Sequence, residues 1–184
     1  MSKRWQEVAA RLPQDRHVIG VEVGVWRGGM SEELLSLCPD MTLVMVDRWA
    51  DVPDDHPYKA SNEPTSQATL KDMTDAMAMT ARRVSLFGER AVMMRSEGNQ
   101  AVALLPDGAF DFVFLDCGFA YEGVLADVTM WWRKVKSGGF LSGHDWRHPT
   151  RGEVERAVTD ALPGVAIEAG KATTWFARKV GGHG

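Results

Sequence analysis

The sequence predicts an α/β fold: a seven-stranded, mostly parallel sheet with helices on both faces and an antiparallel strand pair at the C-terminal end. Three observations predict it. Short apolar runs recur at residues 17–24, 42–47, 91–95, 110–116 and 140–145. Segments with apolar residues at helical spacing lie between them. Two last runs, 165–168 and 173–177, follow one another with no helix between. Strands alternating with helices give a parallel sheet covered on both faces, and a closing pair without a crossover reads as a hairpin.

Each element has its own signal. In the N-terminal segment, residues 1–16, Trp5, Val8, Ala9 and Leu12 share a helical face until Pro13 ends it. The first strand, 17–24, runs into a glycine turn, and 31–38 reads as the next helix. The second strand ends at Asp47. Residues 48–69 are rich in Asp, Pro, Ser and Asn, and read as a long loop. Loops of that length in a compact domain are often functional, so 48–69 is expected to be an active-site lid, with Trp49, His56 and Tyr58 as contacts. A helix over 67–87 should turn Leu70, Met73, Met77 and Val84 inward. A third strand and a short helix, 99–105, follow. The fourth strand, Phe110-Asp111-Phe112-Val113-Phe114-Leu115-Asp116, again ends in an acid. The helix over 121–136 presents Val124, Leu125, Val128 and Trp132 on one side and stops at Ser137-Gly138-Gly139. The fifth strand has a polar end, His144-Asp145, and a helix over 152–161 precedes the hairpin. Residues 181–184 read as a frayed tail.

At 184 residues the chain fits one domain, 1–184, and 45% hydrophobic residues supply a core. A net charge of −4 with scattered Lys and Arg excludes the basic stripe of a nucleic-acid binder. No apolar run approaches the roughly 18–20 residues of a membrane span, and no leader-like apolar stretch follows Lys3 and Arg4. Cys38 and Cys117 lack zinc spacing and read as reduced thiols, which places the protein in the cytoplasm. Of Trp131 and Trp132, one ring should enter the core and the other be exposed to solvent; a homo-oligomer is the alternative, in which that second ring faces a partner subunit.

Ligands of an open α/β sheet bind beyond the carboxyl ends of its strands, which draws attention to residues 22–29, 47, 95–97, 116–119 and 143–146. The turn Glu22-Val23-Gly24-Val25-Trp26-Arg27-Gly28 lacks the GxGxxG dinucleotide fingerprint. Its glycines allow positive φ and close approach to a ligand, and Glu22 favours a cationic ligand over a pyrophosphate. Asp47 lies nineteen residues beyond Gly28, about where an acid accepts ribose hydroxyls of an adenosine cofactor.

This ordered set (Glu22-x-Gly24-x-x-x-Gly28, Asp47, the 110–116 run, then Gly138-Gly139-Phe140-Leu141) resembles the class I S-adenosylmethionine (SAM)-dependent methyltransferases, whose sheet is Rossmann-like. The segment 116–146 resembles a subfamily of small bacterial methyltransferases with Asp-x-x-His-x-Tyr-x-x-Val and Gly-Gly-x-x-x-x-x-Asp motifs. The resemblance covers about residues 18–179. It implies a SAM site at Glu22, Gly24, Trp26, Gly28, Asp47, Arg48, Ser96, Glu97 and Asp116: Glu22 and Gly24 beside the methionine moiety, Asp47 on the ribose, Arg48 or Trp49 and Ser96-Glu97 beside the adenine, Asp116 near the sulfonium. It also implies a small-molecule methyl acceptor, a sugar or natural-product hydroxyl.

Some relatives hold Mg²⁺ through the positions of Asp116, His144 and Asp145. Hard cations prefer oxygen, whereas His144 suits a transition metal better, so the cofactor expectation is SAM with Mg²⁺ or another divalent cation. The alternative is a metal-free site in which Asp145 orients His144. Phe119 stands where the subfamily has a histidine that can act as base. His144 is the substitute base, with Asp116 and Asp145 beside it as catalytic candidates. His148 is a weaker candidate, and Cys117 a poor one as nucleophile. Two other functions compete: a non-catalytic SAM-binding module of the same fold, and a nicotinamide-dependent oxidoreductase, against which the missing GxGxxG argues.

Overall fold

The computed structural model describes residues 3–54, 58–59 and 65–181. Their order is α1 (Arg4–Ala9), β1 (Val18–Val23), α2 (Gly29–Leu37), β2 (Met41–Asp47), α3 (Leu70–Val84), a 3₁₀ turn (Ser85–Arg90), β3 (Ala91–Arg95), α4 (Gly98–Leu104), β4 (Phe110–Leu115), α5 (Tyr121–Trp132), β5 (Val135–Gly143), α6 (Glu153–Ala161), β6 (Ile167–Ala169) and β7 (Trp175–Arg178). The seven strands lie in the order β3-β2-β1-β4-β5-β7-β6. β1 to β5 pair in parallel, and β7 runs antiparallel to both β5 and β6. The strand order reverses between β1 and β4, so the ligand crevice of an open sheet belongs at their carboxyl ends.

Strand period divides the core in two. On one face Val21, Val23, Val113 and Leu115 pack with Ala101 of α4, Val124, Val128 and Trp131 of α5, and Val154 and Val158 of α6. On the other, Phe112 and Phe114 pack with Val8 of α1, Leu34 and Leu35 of α2, and Met73, Ala76 and Val84 of α3. All six residues of β4 are buried, as befits the middle of a sheet covered on both faces. Among the described residues, no helix is long and apolar enough to cross a membrane.

Several expectations need correction. The N-terminal helix is only six residues long. Helix α3 begins at Leu70, where Thr69 accepts the Asp72 amide and Asp72 in turn accepts from Thr69, a reciprocal cap that fixes the start. Its buried stripe is Met73, Ala76, Thr80 and Val84, with Leu70 half exposed. The chain tightens into the 3₁₀ turn at Ser85. Helix α5 ends at Trp132, and its inward face is Val124, Val128 and Trp131, not Trp132. Gly138 and Gly139 do not stop that helix: they sit inside β5, which already starts at Val135 and bulges where its register on β4 shifts. His56 and residues 182–184 lie outside the described residues.

Candidate functional site

The crevice is assembled from the ends of β1, β2, β4 and β5. Gly24 follows β1 with φ +90°, and a Cβ there would lie 2.2 Å from the Asp116 carbonyl oxygen. Only glycine lets the turn cross the end of β4 at this distance. Gly28 has φ +70° and opens α2; its missing Cβ leaves room for Thr80 of α3. Between them Trp26, at φ +53°, is a rare non-glycine residue in the left-handed region.

Hydrogen bonds hold Trp26 there. Asp47 Oδ2 accepts the backbone amides of Val25 at 2.9 Å and Trp26 at 2.8 Å, and Asp47 Oδ1 accepts the Trp49 amide at 2.8 Å. The Trp26 carbonyl accepts the Trp49 indole N–H at 2.8 Å and the Thr80 hydroxyl at 3.0 Å. Trp49 is therefore a core residue, fully buried, rather than a contact on a lid. The Trp26 ring is 40% exposed, with the Arg27 guanidinium 4.4 Å from its centre.

Beside this turn, Arg48 donates to the carbonyls of Ala50 and Asp51 and lies 3.8 Å from Glu97. The Ser96 amide donates to the Asp47 carbonyl at 2.9 Å, which brings the β3 end, Ser96 and Glu97 against the β2 end. Glu22 is buried beneath the turn and accepts the Ser31 hydroxyl at 2.5 Å. Burial pushes its carboxyl up to about 8, reinforced by Asp116 and Asp47 and opposed by the Ser31 hydrogen bond and Arg4.

A second group forms where β4 and β5 end. His144 Nδ1 lies 3.4 Å from Asp116 Oδ1 and 3.0 Å from Asp145 Oδ1. Asp116, His144 and Asp145 each offer a ligand atom, all within 4.8 Å of one another, the right residue types for a divalent ion. Their outer atoms are engaged elsewhere. Arg4 of α1 pairs with Asp116 Oδ2, Arg151 with Asp145 Oδ2 at 2.5 Å, and Thr173 Oγ1 with His144 Nε2 at 2.9 Å. Burial lowers the His144 pKa, but the Asp116 and Asp145 carboxylates outweigh it and carry it to about 9. The Phe119 ring meets Tyr58 edge-on at 6.0 Å, and the Arg151 guanidinium is 4.9 Å from its centre. His148 bonds within its own loop, to Thr150, and Cys117 donates its thiol to Asp127 at 3.2 Å.

Sequence residues 21–146 match the model of a methyltransferase-domain family. The chain belongs to this family. It is a class I SAM-dependent methyltransferase. No protein of curated function matches the sequence. The fold is shared with the O-methyltransferase NovP (TM-score 0.71, 16% identity, 96% of this chain and 79% of that one). It is shared with the calicheamicin methyltransferase CalS11 (0.66, 15%, 94% and 76%). It is also shared with a precorrin-6y C5,15-methyltransferase from Geobacter metallireducens (0.63, 14%, 97% and 90%). Identities this low establish the fold and leave the acceptor open.

The crevice thus brings together Glu22, Gly24, Trp26, Gly28, Asp47, Arg48, Ser96 and Glu97 on one side and Asp116, His144 and Asp145 on the other. Sequence reasoning did not find Arg4, Ser31, Thr80, Arg151 or Thr173. Arg4, Thr80 and Thr173 act on partners 112, 54 and 29 positions away, and Ser31 and Arg151 on partners nine and six positions away; no regular spacing marks these pairs.

Proposed function

We propose that this methyltransferase transfers the methyl group of SAM to the hydroxyl oxygen of a small-molecule acceptor, a sugar or a natural product. The observation that carries the reading is the placement of two unlike groups at one sheet edge. The glycine turn and Asp47 form a rigid pocket suited to an adenosine cofactor, and across the β1–β4 switch point lies a polar triad suited to a hydroxyl. Among the described residues Asp47 Oδ1 accepts one amide, so it keeps an acceptor position for a ribose hydroxyl. Glu22 beneath the turn favours the cationic end of SAM. Arg48, Ser96 and Glu97 stand on the adenine side.

In the reaction the acceptor oxygen bonds to the methyl carbon as the carbon–sulfur bond breaks. The electron pair of that bond remains on sulfur, giving S-adenosylhomocysteine. The acceptor loses a proton, and Asp116 and His144 are the groups placed to take or relay it. Asp145 holds the imidazole between the carboxylates. Phe119 and Tyr58 supply an apolar wall that keeps water from the methyl group, and positioning of this kind carries most of the rate in methyl transfer. Asp116, His144 and Asp145 each offer one ligand atom within 4.8 Å of the others, so the triad fits a divalent ion. Such an ion, held by Asp116, His144 and Asp145, would acidify the acceptor hydroxyl when bound.

The test is transfer of a labelled methyl group from SAM to a panel of sugars, phenols and aliphatic alcohols, with calorimetry of SAM binding alongside. A methylated hydroxyl, lost in Asp116→Asn with SAM affinity retained, supports the reading. SAM binding without transfer to any oxygen acceptor would instead favour a binding module, and no SAM binding would remove the cofactor assignment.

A further inference from the structure

The inner and outer atoms of the polar triad are treated differently. Thr173 has one hydroxyl proton, and it donates to the Ala172 carbonyl at 2.8 Å. Toward His144 Nε2, at 2.9 Å, Thr173 Oγ1 can then only accept. The Nε2–H therefore points outward, and Nδ1 faces inward to the two carboxylates, where its lone pair is presented once a metal ion displaces the Nδ1 proton. Asp116 and Asp145 follow the same rule. Their Oδ2 atoms face outward onto Arg4 and Arg151, and their Oδ1 atoms face Nδ1. Asp145 is 5% exposed, and its Oδ1 lies 3.0 Å from His144 Nδ1. Three electron-pair donors thus converge, each anchored from behind. A metal centre needs that arrangement: ligating histidines donate their second nitrogen, and ligating carboxylates are themselves held.

The anchors come from three separate parts of the chain: the N-terminal helix, the segment before α6, and the turn before β7. Asp145, Ala172 and Thr173 are all non-glycine residues with positive φ, at 62°, 53° and 54°. Backbone strain of this kind persists where surrounding contacts over-determine it. Two oxygens and an imidazole nitrogen form a donor set of mixed hardness. Mg²⁺ prefers all-oxygen surroundings, whereas imidazole raises affinity along the first transition row.

We infer that Arg4, Thr173 and Arg151 are positioning residues that aim Asp116 Oδ1, His144 Nδ1 and Asp145 Oδ1 at one divalent transition-metal ion, in preference to Mg²⁺. The inference depends on the proposed function only for the place of the site, and its test reads metal binding without SAM or acceptor.

Co²⁺ titrated into the full chain gives a visible absorption band when nitrogen and oxygen ligands capture it. One equivalent is expected to bind in the micromolar range and to resist about a hundredfold excess of Mg²⁺. Arg4→Ala and Thr173→Val should each weaken Co²⁺ binding about 10–100-fold, with circular dichroism confirming that both variants are folded. The conservative Thr173→Ser should restore most of the affinity. Displacement of Co²⁺ by equimolar Mg²⁺ would overturn the preference. Absence of any Co²⁺ band in the wild type would overturn the site. Unchanged or tighter binding in folded Arg4→Ala would show that the guanidinium competes with the ion instead of positioning its ligand. If the band behaves as expected while SAM fails to bind, the metal inference stands and the proposed function falls.

Discussion

Asp47 Oδ2 accepts the Trp26 backbone amide at 2.8 Å, so the acid that ends β2 fixes the glycine turn that follows β1. The same carboxylate also takes the amides of Val25 and Trp49. It thereby sets the shape of the turn. This bond is one reason Trp26 can remain at a positive φ.

Asp47→Ala is therefore expected to damage stability and cofactor affinity together. Three amides lose a charged acceptor, which should cost about 2–4 kcal/mol. SAM affinity should fall at least about tenfold, corresponding to roughly 1.4 kcal/mol. Asp47→Asn keeps one oxygen acceptor and should fall between Ala and wild type in both. Urea unfolding and calorimetry read the two quantities separately. A variant that lost SAM affinity at wild-type stability would mean that the amide bonds contribute nothing to holding the turn.

The two turn glycines should respond differently to alanine. At Gly24 the new methyl would press on a backbone oxygen at 2.2 Å, which cannot rotate away. At Gly28 the nearest atom is the Thr80 Cγ2 methyl at 2.8 Å, with Thr80 Cα at 3.1 Å. Gly24→Ala should cost upward of about 3 kcal/mol, and Gly28→Ala about 1–2 kcal/mol. Adding Thr80→Ser removes Cγ2 but keeps the hydroxyl that bonds the Trp26 carbonyl, so the Gly28→Ala/Thr80→Ser pair should recover part of the loss. A double-mutant cycle in urea measures that coupling; strict additivity would contradict the contact.

These contacts also show which features were legible in sequence. The sheet was, because apolar runs of strand length alternate with helical spacing from Val18 to Trp132 and the last two runs are too close for a crossover. The strand-end acids were as well, because topology sends the ends of parallel strands to one edge. What escaped reading was tertiary. Trp49 sits in a stretch of loop composition, yet its indole is buried by a bond to Trp26, which no periodicity encodes. Gly138-Gly139 has the composition of a helix stop, but pairing with β4 pulls both residues into a bulged strand. Trp131 and Trp132 are chemically equivalent in sequence. The helix phase set by Val124 and Val128 selects Trp131 for the core.

That burial supports another prediction. The Trp131 ring is fully buried, but its indole N–H has no hydrogen-bond partner among the described residues. Trp131→Phe removes the unsatisfied donor along with some volume, and the two effects oppose each other. The variant should lose less than about 2 kcal/mol, whereas Trp131→Ala should lose about 3–5 kcal/mol. Equal losses in thermal unfolding would mean that the indole N–H is satisfied in solution.

Glu22 is expected to tie stability and SAM binding to pH. Its carboxyl is raised from 4.5 to about 8, first by burial. A raised carboxyl pKa means that the folded state holds the proton more tightly than the unfolded chain. The resulting stability is complete below about pH 4.5, declines as pH climbs toward 8, and is gone above it. Melting temperature should therefore drop across this window. Glu22→Gln, which can still accept the Ser31 hydroxyl, should remove Glu22's contribution to the slope and melt about 5 °C or more above wild type at pH 8. SAM carries a positive sulfonium and should favour ionised Glu22, so its binding should release a proton near pH 7. Calorimetry in buffers of different ionisation enthalpy detects that proton. S-adenosylhomocysteine lacks the sulfonium charge and should release less. Proton release by Glu22→Gln equal to that of wild type would assign the linkage to another group.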